Sequence, residues 1–199
     1  MAVKFQYNKV SMQQLQKELK IRINALPTLK SKEAYLRVTI KKQKSILHEQ
    51  EKKLKEKMNR LTRNASLWAE FPKELVQFES VELKEDNVAG IKVPSLEKVV
   101  YNITPYSSFM APAWITWGID MVKQLIGIIV EITIMHKRID MLEYARKKTT
   151  QKVNLYEKVQ IPEFSESILK IKRYLEDVEN LEKAAQKITK SRQAEEGAA

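Results

Sequence analysis

The chain contains no cysteine, which excludes disulfides, thiolate metal sites and a cysteine nucleophile. Glycine is scarce, at 4 of 199 residues, so neither a GxxxxGK[ST] phosphate loop nor a GxGxxG dinucleotide loop is present. Only two histidines occur, His48 and His136, and each sits beside an apolar periodic position; a structural role fits both better than a metal site or a catalytic triad. Aromatics make up 8% of the residues, too few for a large globular core, whereas charged residues make up 31%. With only 6 prolines, that balance favours long helices. No cationic, apolar and small-residue leader opens the chain, so the sequons at Asn64 and Asn102 are expected to be chance matches in a cytoplasmic protein.

The charge is uneven. Residues 1–64 hold 17 Lys/Arg against 5 Asp/Glu, net +12, while residues 65–120 hold 4 against 8, net −4. A basic arm points to an acidic partner surface or a nucleic acid, or simply to a solvated helix face.

The most apolar stretch is WITWGIDMVKQLIGIIVEITIM, residues 114–135. A membrane span needs about 20 apolar residues with few charges, yet Asp120, Lys123 and Glu131 interrupt this one. Alternate steps of four and three from Met121 reach Leu125, Ile128, Ile132, Met135, Ile139 and Leu142, all apolar. That is a helix-packing seam. Further apolar residues (Ile119, Val122, Ile126, Ile129, Val130, Ile134) widen the face beyond what one partner helix covers.

Steps of seven from Met12 reach Leu19, Leu26, Glu33, Ile40, Leu47, Leu54, Leu61 and Trp68. The accompanying seam position is poorer, with Arg22, Gln43 and Gln50 among its members. A slender, partly wet, left-handed coiled coil is expected. After Pro162 a third seam follows Phe164, Ile168, Ile171, Leu175, Val178, Leu181, Ala185 and Ile188, out of phase with the second near Ile161. Proline removes a backbone donor and clashes one turn back, so a bend is expected there. With the two arms antiparallel, paired residue numbers should sum to roughly 188, placing Pro27 almost opposite Pro162.

The expected fold is therefore mainly α: a long antiparallel two-helix coiled coil with a small central insert. Residues 1–70 form the N-terminal coiled-coil helix, 71–112 the insert and 113–199 the C-terminal helix, bent near Pro162. Within the insert, VAGIKV and EKVVYNI are expected to pair as a β-hairpin.

Three segments in this order resemble one family: NALPTLKSKEAYL at 24–36, NVAGIKVPSLE at 87–97 and KVNLYEKVQIPEFSESILKIKRYLE at 152–176. Asn154, Glu157, Ile161 and Pro162 are similar to its N-x-x-E-x-x-x-I-P signature. Leu29, Lys30 and Lys32 resemble its L-L-K-x-K element, and Gly90, Val93 and Pro94 its G-x-x-V-P element. The chain resembles the D subunit of the vacuolar and archaeal-type (V-type/A-type) rotary ATPases, as a divergent bacterial member. It departs at Pro27, where a glycine is usual nearby, at Thr28-Leu29 in place of Leu-Leu, and at Glu179-Asn180 in place of Glu-Arg.

The resemblance implies a non-catalytic rotor shaft without cofactor or metal. Its implied partners are the catalytic and non-catalytic A and B subunits of the hexamer, the small F subunit of the central stalk, and the socket subunit on the membrane ring. Candidate shaft contacts with the hexamer are Lys30, Lys32, Lys183, Lys187, Lys190 and Arg192. Candidate contacts of the insert end are Gly90, Val93, Pro94, Phe109, Trp114 and Trp117. The rival readings are a coiled-coil stalk of another ATPase, such as a bacterial export apparatus, and a basic coiled coil that binds nucleic acid. A plain helical hairpin has no use for the GIKVP segment, and no Arg/Asn-rich face is present to read bases.

Overall fold

The computed structural model describes residues 5–63, 65–107 and 112–196. It is mainly helical, with long helices and one two-stranded antiparallel sheet in the middle of the chain. The elements are α1 (Lys9–Arg63), the short α2 (Ala65–Ala69), β1 (Val76–Val88), β2 (Ile91–Ile103), α3 (Trp114–Leu155), a π-helical turn (Tyr156–Gln160) and α4 (Ile161–Glu196). Among the described residues no helix is long and apolar enough to cross a membrane, in keeping with the charges inside residues 114–135. Contacts divide the chain into one unit of residues 1–31 and 149–199 and a second of residues 32–148.

In the first unit, α1 starts at an Asn8 cap whose Oδ1 accepts the Ser11 N–H at 2.6 Å. Leu15, Phe164 and the fully buried Ile171 form the core, with Phe5, Met12, Leu19, Ile168 and Leu175 packed around them. Apart from Phe5, these are seam residues of the two arms or neighbours of the seam. Arg22, a polar seam position, stays useful there: its guanidinium lies 4.4 Å from the Phe164 ring centroid and its Nε donates to Gln160 Oε1 at 2.8 Å.

Pro162 is the second residue of α4, and the helix answers it with the π turn just before it. The Ile161 N–H bonds to the carbonyl of Tyr156, five residues back. The wider turn accommodates a ring that would otherwise press on the carbonyl four residues behind. It also inserts one residue into the helical count, which is the phase break seen between the seams.

The third seam does not stay packed to its end. Every described side chain from 179 to 193 is exposed, Leu181 and Ile188 among them. Because α1 begins only at Lys9, it offers nothing opposite this part of α4.

In the second unit, three polar pairs set the register of α1 against α3: Lys44–Glu143 at 2.7 Å, Glu51–His136 at 3.4 Å, and Lys57 donating to Gln124 at 2.6 Å. The first two pairs have residue numbers that add to 187, close to the expected register. Of the Met121–Leu142 seam, Leu125, Ile139 and Leu142 are buried and the rest are half-buried.

The hairpin covers part of the surplus apolar face of α3, at Ile119, Val122 and Ile126, while Ile129 stays exposed. Its root buries Leu75 and Val76 against Ile115 and Ile119, with Val122, Ile126 and Tyr101 packed alongside. Its tip buries Val88 and Val93 with Leu36, Ile40 and Leu142. The strand assignment differs from expectation. VAGIKV is the turn of the hairpin rather than a strand facing EKVVYNI; Val88 pairs with Ile91, and EKVVYNI pairs with VQFESVE of β1. Ala89 and Gly90 both have positive φ, 52° and 79°, the requirement of a two-residue turn whose twist suits a hairpin. Asn87 Oδ1 accepts the Gly90 N–H at 2.8 Å and closes the turn.

Candidate interaction surfaces

Lys30 and Glu157 come from two different sequence motifs and meet in the first unit. Lys30 Nζ lies 2.7 Å from Glu157 Oε1, with both side chains about half exposed. Asn154 and Pro162 of the same motif are exposed, and Ile161 is half-buried.

At the far end of α4, Lys187, Lys190 and Arg192 are exposed and have no partner among the described residues. Lys183 bonds to Glu179 at 2.7 Å, and this hydrogen bond, reinforced by the lysine's charge, holds the Glu179 carboxyl below its ordinary pKa. Lys183, Lys187 and Lys190 follow one another at helical spacing, as do Leu181 and Ile188. The result is an uncovered helix with cationic and apolar positions.

In the second unit, Lys32 is half-buried at the hairpin tip; a Cβ built on Gly90 would lie 3.9 Å from its Nζ. Gly90 serves the turn. Val93 is 1% exposed and belongs to the tip core, so its side chain is not available to a partner, and Pro94 beside it is half-buried. Arg138 Nη1 donates to Asp86 Oδ2 at 3.1 Å and ties β1 to α3.

The aromatic residues gather where α2 meets the start of α3. Trp68 has ring centroids 5.4 Å from Phe71, 6.0 Å from Trp114 and 6.1 Å from Trp117. Gly118 permits this approach, because a Cβ there would stand 2.9 Å from Phe71 Cε2. Trp114 is half-buried within the cluster, but Trp117 remains 52% exposed and Leu67 is exposed nearby. Phe78 is exposed on β1 and takes no part in the cluster. Phe109 and Asn64 lie outside the described residues.

Sequence reading missed Trp68 as a member of the aromatic end. It also missed the Tyr101 hydroxyl, which donates to the Lys123 carbonyl at 3.0 Å; burial raises the pKa of this phenol. The seven-residue repeat marked Trp68 only as the last seam position.

A family model for the D subunit of ATP synthase matches residues 11–191. Among curated proteins, the V-type ATP synthase D subunit of Borreliella burgdorferi is 34% identical over 193 residues, covering 94% of each chain. The V-type ATP synthase D subunit of Chlamydia trachomatis serovar L2 is 29% identical over 157 residues, 76% of this chain and 77% of its own. That of Chlamydia pneumoniae is 27% identical over 157 residues, with 76% and 75% covered.

Proposed function

Because the chain belongs to the family of ATP synthase D subunits, we propose that it is the central rotor shaft of a V/A-type rotary ATPase. In this reading it transmits torque between the ATP-hydrolysing or ATP-synthesising hexamer and the ion-translocating membrane ring, and carries no active site itself. It works as a cytoplasmic part of the complex, peripheral to the membrane.

The observation that carries the reading is the uncovered end of α4. A solvated helix gains nothing from Leu181 and Ile188 in water, 70% and 56% exposed. An enclosing protein ring would cover them and meet Lys183, Lys187, Lys190 and Arg192. The hexamer of A and B subunits supplies such a ring. Packed pairs such as Leu36 with Leu142, both fully buried, supply the stiffness a shaft needs. The aromatic end with Trp117 and the hairpin are then the surfaces for the F subunit and the socket subunit.

The test is co-expression with the A, B and F subunits, with and without this chain, and with a chain ending at Val178. One copy per hexamer with altered ATP turnover is expected for the full chain. The shortened chain should keep its thermal stability but lose hexamer binding. A hexamer that hydrolyses ATP identically with the chain left free in solution would end the rotor reading.

A further inference from the structure

The apolar seam of the first unit does not by itself select one alignment of its arms. Met12, Leu19 and Leu26 recur every seven residues on α1. A displacement of α1 by one heptad puts Leu19 where Met12 stood and Leu26 where Leu19 stood, apolar for apolar. The Lys30–Glu157 pair discriminates little, because it is half exposed and Arg37 follows Lys30 at the same seven-residue spacing.

One contact breaks this equivalence. Arg22 is the charged member of the α1 row Leu15, Arg22, Leu29, Leu36, and its side chain is only 21% exposed. Glu18 holds the guanidinium from the same helix, with Nη1 3.1 Å from the carboxylate and 3.0 Å from the backbone carbonyl. Across the seam the guanidinium lies over the Phe164 ring, and its Nε donates to Gln160 Oε1 at 2.8 Å. Gln160 ends the π turn and holds the step between Tyr156 and Phe164. Each arm thus places a polar residue in the seam at the same height. Gln43 and Gln50, which continue the row on α1, have no hydrogen-bond partner among the described residues.

We propose that the Arg22–Gln160 pair is a register lock, which admits one alignment of α1 against α4 and excludes those displaced by a heptad. A displacement in either direction brings a leucine, Leu29 or Leu15, to Gln160 and leaves its amide without a partner. The same displacement drives Arg22 into the place of Leu15, which is buried with Phe164 and Ile171, or into that of Leu29. A cation buried away from its acceptor is strongly unfavourable, whereas the aligned pair adds little net stability. What a polar seam residue contributes is the choice of alignment. The lock goes beyond the rotor reading and does not depend on it; in a shaft it keeps one arm from sliding along the other under torque.

The chain has no cysteine, so spin labels go only where cysteines are introduced. Labels at Lys17→Cys on α1 and Ala184→Cys on α4, both exposed, report the alignment in the full chain by double electron–electron resonance. One heptad of slip shifts their separation along the helices by roughly 10 Å, at 1.5 Å per residue. The labelled parent should give one distance. The double variant Arg22→Leu with Gln160→Leu should keep its helicity and its thermal midpoint while a second distance, displaced by that amount, appears. The exchange Arg22→Gln with Gln160→Arg should return the chain to one distance. A single, unshifted distance in the double leucine variant overturns the lock and leaves the rotor reading standing. Loss of helicity in that variant overturns it as well, because the pair then serves folding rather than alignment. Two distances in the labelled parent also overturn it, since the pair then selects nothing.

Discussion

Lys30 and Glu157 stand 127 residues apart in sequence and 2.7 Å apart in space. Each belongs to a separate sequence motif, and their contact makes the two motifs one feature. With half of each side chain in solvent, the pair is worth about 0.2–1 kcal/mol. A double-mutant cycle with Lys30→Ala and Glu157→Ala, followed by urea unfolding, should recover a coupling in that range that shrinks with added salt. The exchange Lys30→Glu with Glu157→Lys should restore most of it; additive single effects would mean that the contact has no energetic role.

The π turn at Tyr156–Gln160 supports a sharper prediction. Removing Lys158, which is exposed, turns the segment into a continuous α-helix and brings both seams into one regular four-three repeat. The proline ring then meets the carbonyl one turn back, at a cost of about 3 kcal/mol. The deletion alone should therefore destabilise the protein, and adding Pro162→Ala should recover most of the loss. If the double variant is no more stable than the single deletion, the turn serves something other than proline accommodation.

At the hairpin tip, Ala89 occupies a left-handed conformation that L-residues avoid at a cost of about 1–2 kcal/mol. Asparagine tolerates that region better, so Ala89→Asn should raise the thermal midpoint slightly. Gly90→Ala should lower stability by about 1–2 kcal/mol through backbone strain alone, because its nearest neighbour is the distant tip of Lys32. Equal midpoints for all three proteins would argue against this turn geometry.

Tyr101 gives a pH dependence with a definite sign. Burial raises its pKa above the ordinary value of 10.0, so the folded state favours the neutral phenol. Its contribution is complete below the unfolded pKa and fades as pH rises from there through the folded value. Tyr101→Phe removes the hydrogen bond to the Lys123 carbonyl and should cost about 1 kcal/mol at neutral pH. The gap between wild type and variant should narrow above pH 10, measured by denaturant unfolding across an alkaline series.

Much of the fold was legible because helix packing writes itself locally. The Met121–Leu142 seam has no exposed member, and its surplus apolar neighbours announced a second covering element, which proved to be the hairpin root. The hairpin itself was half legible. Val88-Ala89-Gly90-Ile91 reads as apolar sequence around one glycine, and the positive φ of Ala89 leaves no trace in the residue type. Charges such as Glu79, Glu82, Glu85 and Asp86 hid the true partner strand, because a ribbon exposed along much of its length needs no clean alternation. The candidate surfaces were less legible still. Val93 was named for a motif but serves the core, while Trp68 was named for a seam but joins the aromatic end.

The sequence by itself determined that the arms are helical, that their apolar residues lie in stripes, and that one stripe slips phase by a residue near Ile161. Those properties follow from residue spacing along a single helix and require no knowledge of what lies across from it. Tertiary structure decided that the slip is taken up by a π turn, that Lys30 meets Glu157, and that Leu181 and Ile188 are left without cover. Each of these depends on where one arm begins relative to the other, and a repeating pattern carries no such origin: a stripe can be matched at several registers, and only the packed chain selects one.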